Sequence, residues 1–224
     1  MLIPKTASWV VRKIIASREL VLQGQVADGT LQTILKSALI GNGFAIRKMY
    51  LTLLPQHPKV EWKSLSLQAS IHPRYKFILW LALHQRLATV DRLMKLGIQV
   101  PPDCAFCGLY RETFAHLFFE CAITRQMWYR LCVWMGYRRN IADWNTEVKW
   151  ACKLAKKRAG LAEISSCAFA MIVDAIWREW NKLRFQNSSL LAAKVLKDIV
   201  IQLNIRGQAN RRWYDALQGL NAYP

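Results

Sequence analysis

Four residues in one short stretch have the types and spacing to hold a metal ion. They are Cys104, Cys107, His116 and Cys121, in the order C-x2-C-x8-H-x4-C. Zn²⁺ has no geometric preference from its d-electrons and takes thiolate and imidazole donors in a closed tetrahedron. The C-x-x-C pair folds back on one ion from a tight turn, and Gly108, next in the chain, supplies the permissive backbone such a turn needs. Four protein donors leave no position for water, so the pattern predicts a structural zinc and not a catalytic one. The alternative is a set of buried free thiols with one buried histidine. A bare C-x-x-C would leave that open, and the added H-x4-C argues against it. Leu117, Phe118 and Phe119 are expected to cover the thiolates. Phe106 and Tyr110 are expected either to pack beside the ion or to stack unpaired bases.

Helices must bring these donors together. Pro73 suits the first turn of a helix running through Phe77, Trp80, Leu81, His84 and Leu87, with His84 packed on its apolar side. Thr89 is placed as the N-cap of a second helix, with Asp91 in its first turn and Gly97 as the residue after its C-cap. Ile98 would supply the apolar contact to that cap. A third helix, Ile123–Met135, puts Met127, Trp128, Leu131, Cys132, Trp134 and Met135 mostly on one face and stops at Gly136. The metal then acts as a small core for the loop between the second and third helices.

These residues also carry a family resemblance. The run from His72 through Ile98, the C-x-x-C, the segment Glu112–Cys121 and the helix after it resemble the zinc-binding domain that follows the reverse transcriptase in plant LINE-type (non-LTR) retrotransposons. The matching positions are Phe77, Trp80 (one residue late), Arg86, Leu87, Thr89, Asp91, Leu93, Gly97, Glu112, His116, Leu117, Phe118 and Trp128. A looser match covers Ile176–Phe185, where Trp180 stands at the position of the family's arginine. The resemblance implies a chain without the polymerase or endonuclease modules, from a truncated element or from a host gene that kept the domain.

The bulk properties fit a mainly α fold, a helical domain built around the small zinc site. The division expected is an irregular to helical segment over 1–70, a zinc-binding helical core over 71–136 and basic helices over 137–224 that pack on it. No apolar run approaches the roughly 18 residues of a membrane span, and no membrane association is expected. The other three cysteines, Cys132, Cys152 and Cys167, fall among apolar helical positions, as buried free thiols do in a reducing compartment. The nucleus is favoured, with an organelle such as the mitochondrion as the alternative. Met1–Leu22 reads as a first helix in preference to a targeting peptide. Asp28-Gly29 and Gly41-Asn42-Gly43 signal turns around a helical pattern at Leu31, Ile34, Leu35, Ala38 and Leu39. Phe44–Leu54 is compatible with strand or helix, and Pro55 and Pro58 imply a loop.

The formal charge of +18 is the second strong signal, because neutralising phosphates releases counterions and gives sequence-independent affinity. Two places concentrate it. Lys149, Lys153, Lys156, Lys157 and Arg158 lie partly along a short helix that begins after Asp143 and breaks at Gly160. Arg206, Arg211 and Arg212 stand beside Trp213 and Tyr214, a combination suited to phosphate contact and stacking. A long buried helix from about Ile164 to Leu183 lies between them, and a last helix capped by Ser188 or Ser189 runs to Leu203. No P-loop, dinucleotide fingerprint, nucleophile elbow or carboxylate cluster is present, so no enzyme is expected. The expected function is a non-catalytic, zinc-stabilised nucleic-acid-binding module with RNA as the first partner. The alternative is a structural or assembly subunit bound to other proteins of a ribonucleoprotein particle.

Overall fold

The computed structural model describes residues 59–186, 188–220 and 223, preceded by 36, 38–40, 43–47 and 51. The chain divides into two compact units, Met1–Pro58 and Lys59–Pro224. In the first, β1 (Leu39–Ile40) and β2 (Gly43–Phe44) pair antiparallel, with Leu39 opposite Phe44. Leu39 therefore belongs to a strand, not to the helix its spacing suggested. Phe44 ends a strand, whereas Ile46, Arg47 and Leu51 are helical. The expectations for Met1–Leu22, Asp28-Gly29, Leu31, Ile34, Leu35, the turn at Gly41-Asn42, Pro55 and Pro58 fall outside the described residues.

The second unit is helical among its described residues. Its elements are α1 (Lys63–Ser66), α2 (Pro73–Leu83), α3 (Val90–Lys95), a wide turn at His116–Glu120, α4 (Ala122–Trp134), α5 (Trp144–Ala155), α6 (Gly160–Phe185), α7 (Ala192–Gln208) and α8 (Arg211–Gln218). α6 is the axis of the fold and packs against α2, α4, α5, α7, α8 and the wide turn. From Ile164 to Ile176 it is buried on every side, as expected of a helix that is apolar all round. It is also long and apolar enough to cross a membrane, by length and composition alone. In the fold, 78% of its most apolar window is buried inside the protein. One continuous core draws on residues from both 71–136 and 137–224.

Local chemistry explains several helix ends. Pro73 is the first residue of α2, and the His72 ring accepts a hydrogen bond from the Arg74 amide at 3.3 Å. α3 closes with a Schellman motif: Ile98 N–H reaches Leu93 O at 3.0 Å and Gly97 N–H reaches Met94 O at 3.0 Å, with Gly97 at φ +79°. Gly136, at φ +84°, closes α4 in the same way, with Tyr137 N–H on Cys132 O at 2.8 Å. Asp143 caps α5 by accepting from the amides of Asn145 and Thr146.

Four expectations need correction. α2 stops at Leu83 because Gln85 turns left-handed at φ +51°, so His84 and Leu87 lie beyond it. Phe77 and Trp80 are 59% and 39% exposed, so the apolar pattern of α2 has an outer aromatic face as well as an inner one. His84 belongs to that outer face, edge-on to Trp62 and Trp80. Gly160 starts α6 instead of breaking the chain, and α7 begins after Leu191, with no cap from Ser188 or Ser189.

Candidate metal centre and basic cleft

The metal loop is built on a narrow hairpin. Asp103 and Arg111 form an antiparallel bridge, Cys104 N–H donates to Tyr110 O at 2.8 Å, and Gly108 N–H donates to Cys104 O at 2.8 Å. Gly108 sits at φ +64°, the left-handed conformation the turn needs. The other two donors come from the wide turn. His116 N–H is held by Thr113 Oγ1 at 3.0 Å, and Cys121 N–H closes the turn on His116 O at 2.7 Å. Within it Phe119 takes φ +82°, a strained setting for a residue with a side chain. Arg125 on α4 steadies that backbone by donating Nε–H to Phe119 O at 2.8 Å.

The strain has a visible use. It turns Phe118 and Phe119 inward while leaving Cys121 at the metal site. Both rings are fully buried, with Phe119 packed on Trp128, Trp144 and Phe169. Leu117, Phe118 and Phe119 thus anchor the loop in the main core, more than the local cover expected of them. Phe106 is half-buried beside the core, while Tyr110 stays exposed with its ring 5.6 Å from that of His116.

One donor atom from each of Cys104, Cys107, His116 and Cys121 lies within 4.8 Å of the others. Cys104 Sγ and Cys121 Sγ are 4.0 Å apart, and Cys107 Sγ and His116 Nε2 are 3.4 Å apart. Tetrahedral zinc with thiolate bonds of about 2.3 Å would put sulfurs about 3.8 Å apart, so the donor set fits that ion. The surroundings favour negative sulfur at Cys121. The Cys104 thiol donates to Cys121, and the backbone amides of Thr124 and Ile123 at the start of α4 add to this, lowering the Cys121 pKa to about 5. The same shared proton and burial push Cys104 up. The remaining thiols are different in kind. Burial raises Cys132 to about 12 and Cys152 and Cys167 to about 11, which leaves them inert as nucleophiles.

Glu112 ties this loop to the rest of the protein. It is fully buried and accepts from Val90 N–H (3.3 Å), Ala105 N–H (3.2 Å), Trp180 Nε1–H (2.7 Å) and Arg184 Nη2 (3.0 Å). The Val90 contact does the capping of α3 expected of Thr89, whose hydroxyl instead donates to Asp91 Oδ1 at 2.5 Å. Arg184 also donates to Pro101 O at 3.1 Å and to Asp103 O. Trp180 and Arg184, one turn apart on α6, together serve the carboxylate, and Trp180 stands where the family resemblance has an arginine. A second buried carboxylate, Glu147, is held by Trp128 Nε1–H at 2.8 Å, Ala142 N–H at 2.9 Å and both ends of the Arg139 guanidinium. Neither cluster follows from residue spacing. The signal for Glu112 was its place just ahead of His116 in the family pattern.

The residues expected to meet nucleic acid are divided by the fold. Lys149 and Lys153 are exposed on α5. Lys156 caps α5, and Lys157 and Arg158 fall in the loop after it instead of on the helix. Together with Arg212, these three line one cleft of about 580 Å³, shared with Gln68, Ser70, Glu163 and Asn210. Arg211 is exposed at the start of α8. Arg206 is turned inward, donating to Ser70 O at 2.7 Å and lying 3.4 Å from Cys167 Sγ. Trp213 is buried and donates to Glu163 Oε2 at 3.1 Å, so it is a core residue and not a stacking platform. Tyr214 alone of that pair is exposed.

With this geometry in place, comparison with known proteins adds one match. Residues 44–128 match the family described as zinc-binding in reverse transcriptase. The matched segment contains all four donors and ends at Trp128, so the chain carries a zinc-binding module related to reverse transcriptase. No curated protein and no solved structure matches the chain.

Proposed function

We propose that the protein is a non-catalytic nucleic-acid-binding module, with RNA as its first partner, whose fold is held by a structural zinc ion. The observation that carries this reading is the meeting of two basic segments, far apart in sequence, around one cleft. They do so in a chain with a formal charge of +18. Among the described residues Lys156, Lys157 and Arg158 make no ion pair, so phosphates need not displace an internal partner. Zinc enters this reading as a fastener. Its four donors close the tetrahedron, and Glu112 and Arg184 hold the loop backbone on α6. Buried, unpaired cysteines favour a reducing compartment, with the nucleus in first place.

The test is binding of the zinc-loaded protein to single-stranded RNA across a salt series. Log affinity should fall linearly with log salt, by about 0.7 per phosphate neutralised. A protein that binds no RNA at low salt would end this reading.

One observation favours the second reading, an assembly subunit. Leu67, Phe77 and Trp80 expose apolar surface around a shallow pocket bordered by Lys63 and Lys76. Purification from cells with protein and RNA identified in the same eluate separates the two. A fixed set of proteins bound through that face, surviving nuclease, would favour the subunit.

A further inference from the structure

The cleft near Arg212 differs from a flat basic face in three ways. Its charge is concentrated, because Lys156, Lys157, Arg158 and Arg212 all line it. The acid in its lining, Glu163, already accepts from Trp213 Nε1 at 3.1 Å and from Arg212 at 3.4 Å, so its charge is offset. Ser70 also lines the cleft and carries a hydroxyl without a partner. Ser70 Oγ is buried and makes no hydrogen bond, although the same residue's carbonyl is fixed by Arg206 at 2.7 Å. A buried hydroxyl without a partner costs about 1–3 kcal/mol, a penalty that an acceptor in the cleft would remove.

The walls are also rigid. A methyl group on Gly160 would stand 2.0 Å from Arg212 O, so the start of α6 and the start of α8 touch backbone to backbone. This contact fixes Arg212 against the segment that carries Arg158. α6 begins between Arg158 and Glu163 and has no side-chain cap, which leaves the positive end of a 26-residue helix at this place.

We propose that this cleft is a built site for one phosphate group of a nucleic-acid strand. Ser70 Oγ–H donates to a phosphate oxygen, and Lys157, Arg158 and Arg212 supply the counter-charge. The proposal rests on the nucleic-acid reading above and narrows it from a diffuse basic field to an anchoring point. The same chemistry would accept free phosphate or pyrophosphate, and the test separates these sources.

The experiment measures binding of a single-stranded RNA oligonucleotide to the zinc-loaded full chain, with pyrophosphate or sodium chloride added at matched ionic strength. Pyrophosphate is expected to displace RNA well beyond the effect of chloride. Ser70→Ala should abolish that excess without lowering the melting temperature. Lys157→Gln with Arg158→Gln, both at exposed positions, should weaken RNA binding roughly tenfold and reduce the salt slope by about 1 or more. If RNA binds with a steep salt slope and pyrophosphate does no more than chloride, the cleft proposal falls while the nucleic-acid reading stands. If pyrophosphate binds by calorimetry and RNA does not bind at all, the strand as ligand and the proposed function both fall.

Discussion

Each end of α6 is fastened by the same three residue types used in opposite senses. At its C-terminal end α6 supplies the donors, Trp180 and Arg184, and the metal loop supplies the carboxylate of Glu112. At its N-terminal end α6 supplies the carboxylate of Glu163, and α8 supplies Trp213 and Arg212. The arrangement follows the helix dipole, with the acid in the first turn and the cation in the last. The two clamps differ in water. The side chain of Arg184 is 10% exposed and that of Arg212 is 62% exposed. A cation sealed against a buried acid is committed to holding the fold, whereas one half out of the surface keeps donors free for a phosphate. On the function proposed above, the same chemistry serves structure at one end of the helix and binding at the other.

The largest effect should come from loss of the zinc proposed for the sealed end. Apparent binding energies of structural zinc in small domains are on the order of 10 kcal/mol or more, and that energy is folding energy. Chelation, Cys104→Ser or His116→Ala should release zinc and abolish the cooperative thermal transition of the second unit. Zinc content is read by metal analysis and folding by near-ultraviolet circular dichroism. Full loss of zinc with an unchanged melt would show that the Glu112 clamp holds the loop alone. That outcome would reduce the comparison to two hydrogen-bonded clamps.

The next effect isolates the clamp. Arg184→Met leaves Glu112 buried with its amide and indole donors but no counter-charge, at a cost of about 3–5 kcal/mol. Urea unfolding of the zinc-loaded protein measures it, and Arg184→Met combined with Glu112→Gln should recover part of the loss. A single variant within about 1 kcal/mol of the parent would mean that burial does not distinguish the two ends of α6.

These clamps also mark the limit of what the residue pattern reveals. The metal donors were legible because one ion demands particular atoms at short chain distances. The caps at Pro73, Gly97 and Gly136 were legible because each depends on one residue's backbone freedom. The match over 44–128 bears out the family resemblance for that segment, and the fold brings the four expected donor side chains together. The pairing of Glu112 with Arg184 spans 72 residues of chain, and no local rule links them. The same holds for Tyr75, whose hydroxyl donates to Gln202 at 2.5 Å across 127 residues. Arg206 and Trp213 were misread for a related reason. Exposure decides whether an arginine beside a tryptophan grips phosphate or packs inside, and exposure is a property of the whole fold. α2 shows the converse case, because Phe77 and Trp80 satisfy an apolar pattern yet face outward.

Asp174 supplies a contrast to both clamps. It is buried on α6 without a tryptophan donor, and its ion pair is with Arg74, a half-exposed residue 3.5 Å away. Burial raises its pKa above the ordinary carboxylate value, and the nearby arginines only partly oppose this. A carboxylate whose folded pKa is raised favours the fold below its unfolded pKa. It loses that contribution as pH rises through the folded value. Asp174→Asn should therefore stabilise the protein at neutral pH, and the gain should vanish on acidification below the unfolded carboxylate range. Thermal melts of both proteins across that range give the answer. A destabilised variant at neutral pH would show that Arg74 clamps Asp174 as firmly as Arg184 clamps Glu112.

The smallest effect on stability is expected at the open end. Arg212→Met removes a half-exposed cation from Glu163, and such pairs contribute about 0–1 kcal/mol once solvent screening is counted. Trp213 still donates to the carboxylate, so the start of α8 should stay in place on Gly160. RNA affinity should nevertheless fall, because the variant removes one of the four cations lining the cleft. The salt slope should drop by about 1. Small loss of stability with clear loss of binding is the signature that separates this clamp from the one at Glu112. If Arg212→Met instead unfolds the protein as Arg184→Met does, both ends of α6 are structural, and the phosphate-binding role passes to Lys156, Lys157 and Arg158 alone.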